Sequence, residues 1–130
     1  MVLIFELKFD QIPSGTAQQK KFGKGFVYES KNAREARKVY QEQLKKVAPE
    51  QPLQNAVWLE IEFDYVIKDK RKKGTLKTSR PDLDNVAKLF IDEMMKSGFF
   101  VDDSQIVKLC LFKKFSEDDV ARIKVKLEEF

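Results

Sequence analysis

The chain has 130 residues, is 42% hydrophobic and carries a formal net charge of +4, which allows one compact domain with a single core. It has no histidine and one cysteine, so an intramolecular disulfide, a zinc site of the usual Cys/His type and every Ser-His or Cys-His dyad are excluded, and hydrolytic chemistry must come from carboxylates, lysine or a metal held by oxygen. Apolar runs are only a few residues long and the start MVLIFELKFD has no basic n-region or cleavage site, so we expect a soluble intracellular protein with no membrane partner.

Residues 2–9 alternate, with Leu3, Phe5, Leu7 and Phe9 on one side and Glu6 and Lys8 on the other, which predicts a half-buried strand. Residues 10–25, DQIPSGTAQQKKFGKG, are broken by proline and glycine and predict a loop or irregular hairpin. From Asn32 the pattern turns helical: Asn32 and Glu35 have capping-box spacing, and Ala33, Ala36, Tyr40, Leu44 and Val47 recur at helical intervals before APEQP ends the run. Residues 57–67 alternate again, with Val57, Leu59, Ile61, Phe63, Tyr65 and Ile67 facing one way and Glu60, Glu62 and Asp64 the other. A second helix is predicted over residues 84–97, with Val86, Phe90 and Met94 as its apolar side, Asn85, Lys88, Asp92 and Lys96 as a polar stripe, and Gly98 as its stop. Strands at 106–112 and 122–127 follow, and Phe99, Phe100 and Cys110 read as core residues. This order predicts an α/β (α+β) fold, a mixed β-sheet with two main helices packed on it, as a single domain over residues 1–130.

The charge is concentrated. Residues 68–80, KDKRKKGTLKTSR, hold seven Lys/Arg against one Asp, a local +6 within a chain total of +4, so the remaining residues sum to −2. A local basic device points to a polyanion met at one place. Lys68, Lys70, Arg71, Lys72, Lys73, Lys77 and Arg80 are the candidate DNA-backbone contacts, with strongly salt-dependent, largely sequence-independent affinity.

Immediately behind that stretch stand Asp82 and Asp84, at the start of the second predicted helix, where exposed N–H groups favour negative charge. Lys88 lies one turn past Asp84, close enough to pair with it or to reach a phosphate held between them. Asp102 and Asp103 are adjacent carboxylates at a strand start, which need a cation or hydrogen-bond donors to offset their repulsion. Together these residues suggest a carboxylate-bound Mg2+ or Mn2+ whose shell is completed by substrate phosphate.

The stretch RPDLDNVAKLFIDEMMKSGFFVDDSQIVKL, residues 80–109, resembles the signature region of the RusA family of Holliday junction resolvases. The shared pattern is Asp82, Asp84, Asn85 and Lys88, a helix, Gly98, a short apolar run, then Asp102, Asp103, Gln105 and Ile106, matched without a gap. The resemblance implies a homodimeric, Mg2+-dependent endonuclease of phage or prophage type, cytoplasmic and DNA-associated, which makes paired symmetric nicks across four-way DNA junctions. By position it implies that Asp82, Asp84 and Asp103 are catalytic and metal-binding, that Lys88 is catalytic, and that Asp102 is an auxiliary ligand. Two other readings stay open: a catalytically silent junction-binding protein, and a nuclease for other branched DNA.

Overall fold

Four alternating segments each turn one apolar row to the same side: β1 (Val2–Phe9), β4 (Val57–Tyr65), β5 (Ile106–Phe115) and β6 (Ala121–Glu129). The structure, a computed structural model, describes residues 1–15, 20–23 and 26–130, with 20–23 and 26–29 described as backbone alone. The four strands form one sheet in the order β1-β6-β4-β5, in which β4 and β5 run parallel and the other neighbours antiparallel. Two further strands, β2 (Lys20–Gly23) and β3 (Phe26–Glu29), pair as a separate hairpin. Part of the loop expected over residues 10–25 is therefore regular, and part, residues 16–19 and 24–25, lies outside the described residues.

The helices α1 (Lys31–Leu44) and α2 (Leu83–Lys96) pack on one face of the sheet. The chain is thus the expected α+β type, a mixed sheet carrying two main helices. Register explains the core: Leu7 pairs with Ile123 and Ile123 with Phe63, while Phe5 pairs with Val125 and Val125 with Ile61, so one apolar row after another crosses the sheet. Tyr40 of α1 and Phe90 of α2 meet edge to face, their centroids 5.0 Å apart, and Phe90 meets Phe63 of β4 in the same way at 6.1 Å. Each such ring contributes both buried area and about 0.5–1.5 kcal/mol of directional contact.

Three sequence expectations change. The cap of α1 is Ser30, whose hydroxyl accepts from the Ala33 amide at 3.2 Å, so the helix starts before the Asn32/Glu35 pair. The β4 strand ends at Tyr65. Cys110 is exposed, because it lies on the edge strand β5 and faces away from the helices. Phe99 and Phe100 are core residues as expected, at 0% and 1% exposure.

The parallel β4/β5 pair requires a crossover, and α2 is that crossover. The candidate site residues lie at its two ends. Gly98 closes α2 with φ +91°, a left-handed conformation that glycine adopts without cost. Among the described residues no helix is long and apolar enough to cross a membrane.

Candidate functional site

The first end of the site is the entry to α2. Asp82 is the N-cap residue, yet its side chain makes no capping hydrogen bond and is exposed. A capping aspartate normally accepts from the helix amides, so this carboxylate is left available to a ligand. Asp84 lies in the first turn, with Lys88 and Asp92 following at four-residue steps, so the three share one side of α2. Among the described residues Lys88 has no ion-pair partner within 4 Å, so the anticipated pairing with Asp84 is not made.

A residue missed by the sequence reading holds this entry in place. Lys113 occupies a core-side register position, opposite Phe63, in a row whose other members are Leu7 and Ile123. Its ammonium donates to the carbonyls of Ser79 and Pro81, both at 2.7 Å. The Pro81 carbonyl belongs to the same planar peptide unit as the Asp82 nitrogen, so Lys113 ties the start of α2 to the end of β5. The available signal was a lysine at an inward-facing strand position, but the predicted strand stopped at 112.

The second end is the turn before β5. A single 3₁₀ turn, Asp103–Gln105, follows the buried Phe99 and Phe100. Gln105 fixes it with all of its amide: its oxygen accepts from the Val101 and Asp102 amides at 2.9 and 2.8 Å, and its nitrogen donates to the carbonyls of Leu53 and Asn55, both at 2.9 Å. Asp102 accepts a hydrogen bond from the Ser104 hydroxyl, whereas Asp103 faces α2.

Between the ends runs a cavity of about 330 Å³. Asp84, Lys88, Asp92 and Asp103 stand on it, and Ala87, Ile91, Ile106, Leu109 and Leu111 supply apolar wall. The structure therefore places Asp84, Lys88 and Asp103 on one cavity, adds Asp92, and leaves Asp82 and Asp102 off its walls. Asp92 is held from α1: Arg37 lies 3.7 Å from it and 2.8 Å from Glu93, which is fully buried and also takes Gln41 at 2.5 Å and Lys96 at 3.3 Å. A larger hollow of about 600 Å³ lies against the open face of the sheet, on Ile4, Glu60, Cys110 and Phe112, away from these residues.

Asp84, in the first turn of α2, and Asp103, in the 3₁₀ turn before β5, reach this cavity from different elements. The oxygen donors have the chemistry for a hard divalent ion, but among the described residues no three Asp, Glu or Cys side chains come together to hold one.

The basic loop is divided. Lys68, Lys70, Lys72 and Arg80 are exposed. Arg71 pairs with Asp69 at 3.2 Å, and Lys73 with Asp119 at 2.8 Å. Lys77 donates to the Ser79 hydroxyl at 2.7 Å and lies 5.1 Å from the ring centres of Tyr65 and Phe115. Burial, and then the neighbouring Lys113 charge, lowers the Lys77 pKa from its usual value.

Comparison with known proteins bears on the whole chain. Residues 10–128 match the family model described as endodeoxyribonuclease RusA. A protein of Lactococcus phage r1t named crossover junction endodeoxyribonuclease rusA is 36% identical over 131 residues, covering 96% of each chain.

Proposed function

The chain belongs to the RusA family of endodeoxyribonucleases, and from that premise we propose that it resolves four-way DNA junctions by metal-dependent, paired, symmetric nicks. The observation that supports this reading most is the single cavity bearing Asp84, Lys88 and Asp103, beside the unengaged carboxylate of Asp82. Asp82, Asp84 and Asp103 are the proposed holders of a divalent ion, Mg2+ with Mn2+ as substitute, which when bound supplies Lewis-acid neutralisation of the scissile phosphate. Lys88 offsets charge developing on that phosphate, since its ammonium is a strong donor that keeps its proton. The exposed cations of the basic loop grip the backbones of the junction arms. A two-fold substrate suits a homodimer, and the place of action is the cytoplasm of the host cell.

The test is a nicking assay on four-way, three-way and linear DNA, with Mg2+ or EDTA, for the wild type and Asp82→Asn. Paired nicks confined to the four-way junction, lost with EDTA and in the variant, support the reading. Junction binding without nicks in either protein would replace it by a binding module, and equal cutting of three-way DNA by a general branched-DNA nuclease.

A further inference from the structure

We infer that Glu129, the last residue of β6, is a positioning residue for Asp103: its carboxylate fixes the segment 53–55, and that segment fixes the turn that carries the acid. The inference rests on the reading of Asp103 as catalytic.

Glu129 continues the inward row of its strand. Ala121, Ile123, Val125 and Leu127 are buried at two-residue steps, and Glu129 takes the next such position, opposite Val57 of β4. Its backbone is held there, since the Glu129 amide donates to the Met1 carbonyl at 3.0 Å and the Phe130 amide to the Ala56 carbonyl at 2.9 Å. An acid at a core-side position is costly unless hydrogen-bond donors meet it. Two do: the amides of Gln54 and Asn55 both donate to Glu129 Oε2 at 3.1 Å. Hydrogen bonds to an ionised acceptor are about twice as strong as neutral ones, so a single carboxylate oxygen anchors two successive peptide groups.

The same segment is gripped from its other side. The Leu53 amide donates to the Phe99 carbonyl at 3.0 Å, and the carbonyls of Leu53 and Asn55 accept from the Gln105 side-chain nitrogen, both at 2.9 Å. Over three consecutive residues, then, Glu129 takes two donors and Gln105 two acceptors. Gln105 passes this position on to the acidic turn. Its side-chain oxygen accepts from the Val101 and Asp102 amides at 2.9 and 2.8 Å, and its own amide donates to the Asp102 carbonyl at 3.1 Å. That carbonyl shares a peptide plane with the Asp103 nitrogen, so Asp103 is set on the cavity by a chain of hydrogen bonds that begins at Glu129. Glu129 and Lys113 play matching parts, each an ionised residue in an inward row, one for each end of the site.

The test is nicking of the four-way junction at saturation, with junction affinity in EDTA measured alongside. Glu129→Ala should nick about tenfold to 100-fold more slowly, the scale of a reacting group displaced by about 1 Å or less, with junction affinity unchanged. Glu129→Gln, which keeps an acceptor oxygen, should nick close to the wild-type rate, and Glu129→Asp, whose oxygens are drawn back by one methylene, should lie between. A glutamine variant as slow as the alanine one would assign the effect to charge and overturn the inference, as would an alanine variant at the wild-type rate. Should Glu129→Ala fail to fold, Glu129→Asp carries the comparison.

Pairing of substitutions separates this route from a general loosening of the fold. Residues that act through one network are non-additive, so Glu129→Ala combined with Gln105→Met should be no slower than the slower single variant, whereas its effect should multiply with that of Lys113→Met. Multiplied losses with Gln105→Met, or a loss that also saturates with Lys113→Met, would overturn the inference. Should the wild type cut no junction, the proposed function fails, and amide exchange decides the positioning by itself. Glu129→Ala should then speed exchange several-fold at Val101 and Asp102, whose amides depend on Gln105, and leave Val86, bonded to the Asp82 carbonyl at 3.2 Å, unchanged. Exchange at Val101 and Asp102 equal to wild type would overturn it.

Discussion

Each carboxylate in this chain behaves according to what faces it. Asp118 is hydrogen-bonded by Arg122, by the Val120 amide and by Ser116, and these donors hold its pKa well below the usual range. Asp64 is in the opposite situation. It is 2% exposed, and burial, followed by its contact with Glu62, raises its pKa to about 6 despite Lys124 at 3.5 Å. A raised folded-state pKa stabilises the fold below the unfolded value of 3.8, and that contribution is lost as pH climbs through about 6. Asp64→Asn should therefore be close to wild type in urea unfolding at pH 3 and more stable than wild type at pH 7.5; an equal difference at both values would contradict the cause given. The site acids divide in the same way. Asp103 stands on the cavity, whereas Asp102 is engaged by Ser104, so Asp103→Asn should lower nicking about 100-fold or more and Asp102→Asn less than about tenfold. Lys113→Met should cost activity with little loss of junction binding, since a displacement of about 1 Å at a reacting group can cost about 100-fold. Weaker binding with an unchanged rate at saturation would make Lys113 a DNA contact instead.

The two helices are joined by more than apolar packing. Glu93 is completely buried between Arg37, Gln41 and Lys96. Removing one member of a buried ion pair costs about 3–5 kcal/mol, because the remaining charge is left uncompensated. Glu93→Ala should lower the urea midpoint accordingly and, by releasing Arg37, disturb Asp92 on the cavity. A midpoint within error of wild type would show that Arg37 finds another anion. At this scale the sequence was informative where one face is buried: strand 2–9, all but the last two residues of the expected strand 57–67, and both helices follow from period 2 or period 3.6 alone. It was uninformative where tertiary partners decide. Ser30 outcompetes Asn32 as cap, Cys110 is exposed only because β5 is an edge, and Lys113 has meaning only once the loop carbonyls are placed opposite it. The acidic motif was readable as a pattern of residues, but the gathering of Asp84, Lys88 and Asp103 on one cavity was not, since that depends on how α2 packs along β5.

Over the whole molecule, the basic residues 68–80 are the proposed DNA contacts, and the fold does not leave them equivalent. All seven Lys/Arg of residues 68–80 look equivalent in sequence. In the fold, Lys70 and Lys72 are exposed, Lys73 is tied to Asp119 with its side chain 19% exposed, and Lys77 lies over two aromatic rings. A cation that contacts phosphate releases about 0.9 counterions, which appears as the slope of log affinity against log salt concentration. Replacing Lys70 and Lys72 together by alanine should therefore flatten the slope for junction binding by about 1.8. Replacing Lys73 and Lys77 should flatten it much less, because neither ammonium is free to leave its partners for a phosphate, and should instead loosen the loop that carries the start of α2. The measurement is junction affinity in EDTA across a range of salt concentrations for both double variants, with urea unfolding alongside. Equal slopes for the two would mean that the intramolecular partners of Lys73 and Lys77 give way on binding, and that the whole loop remodels around the DNA.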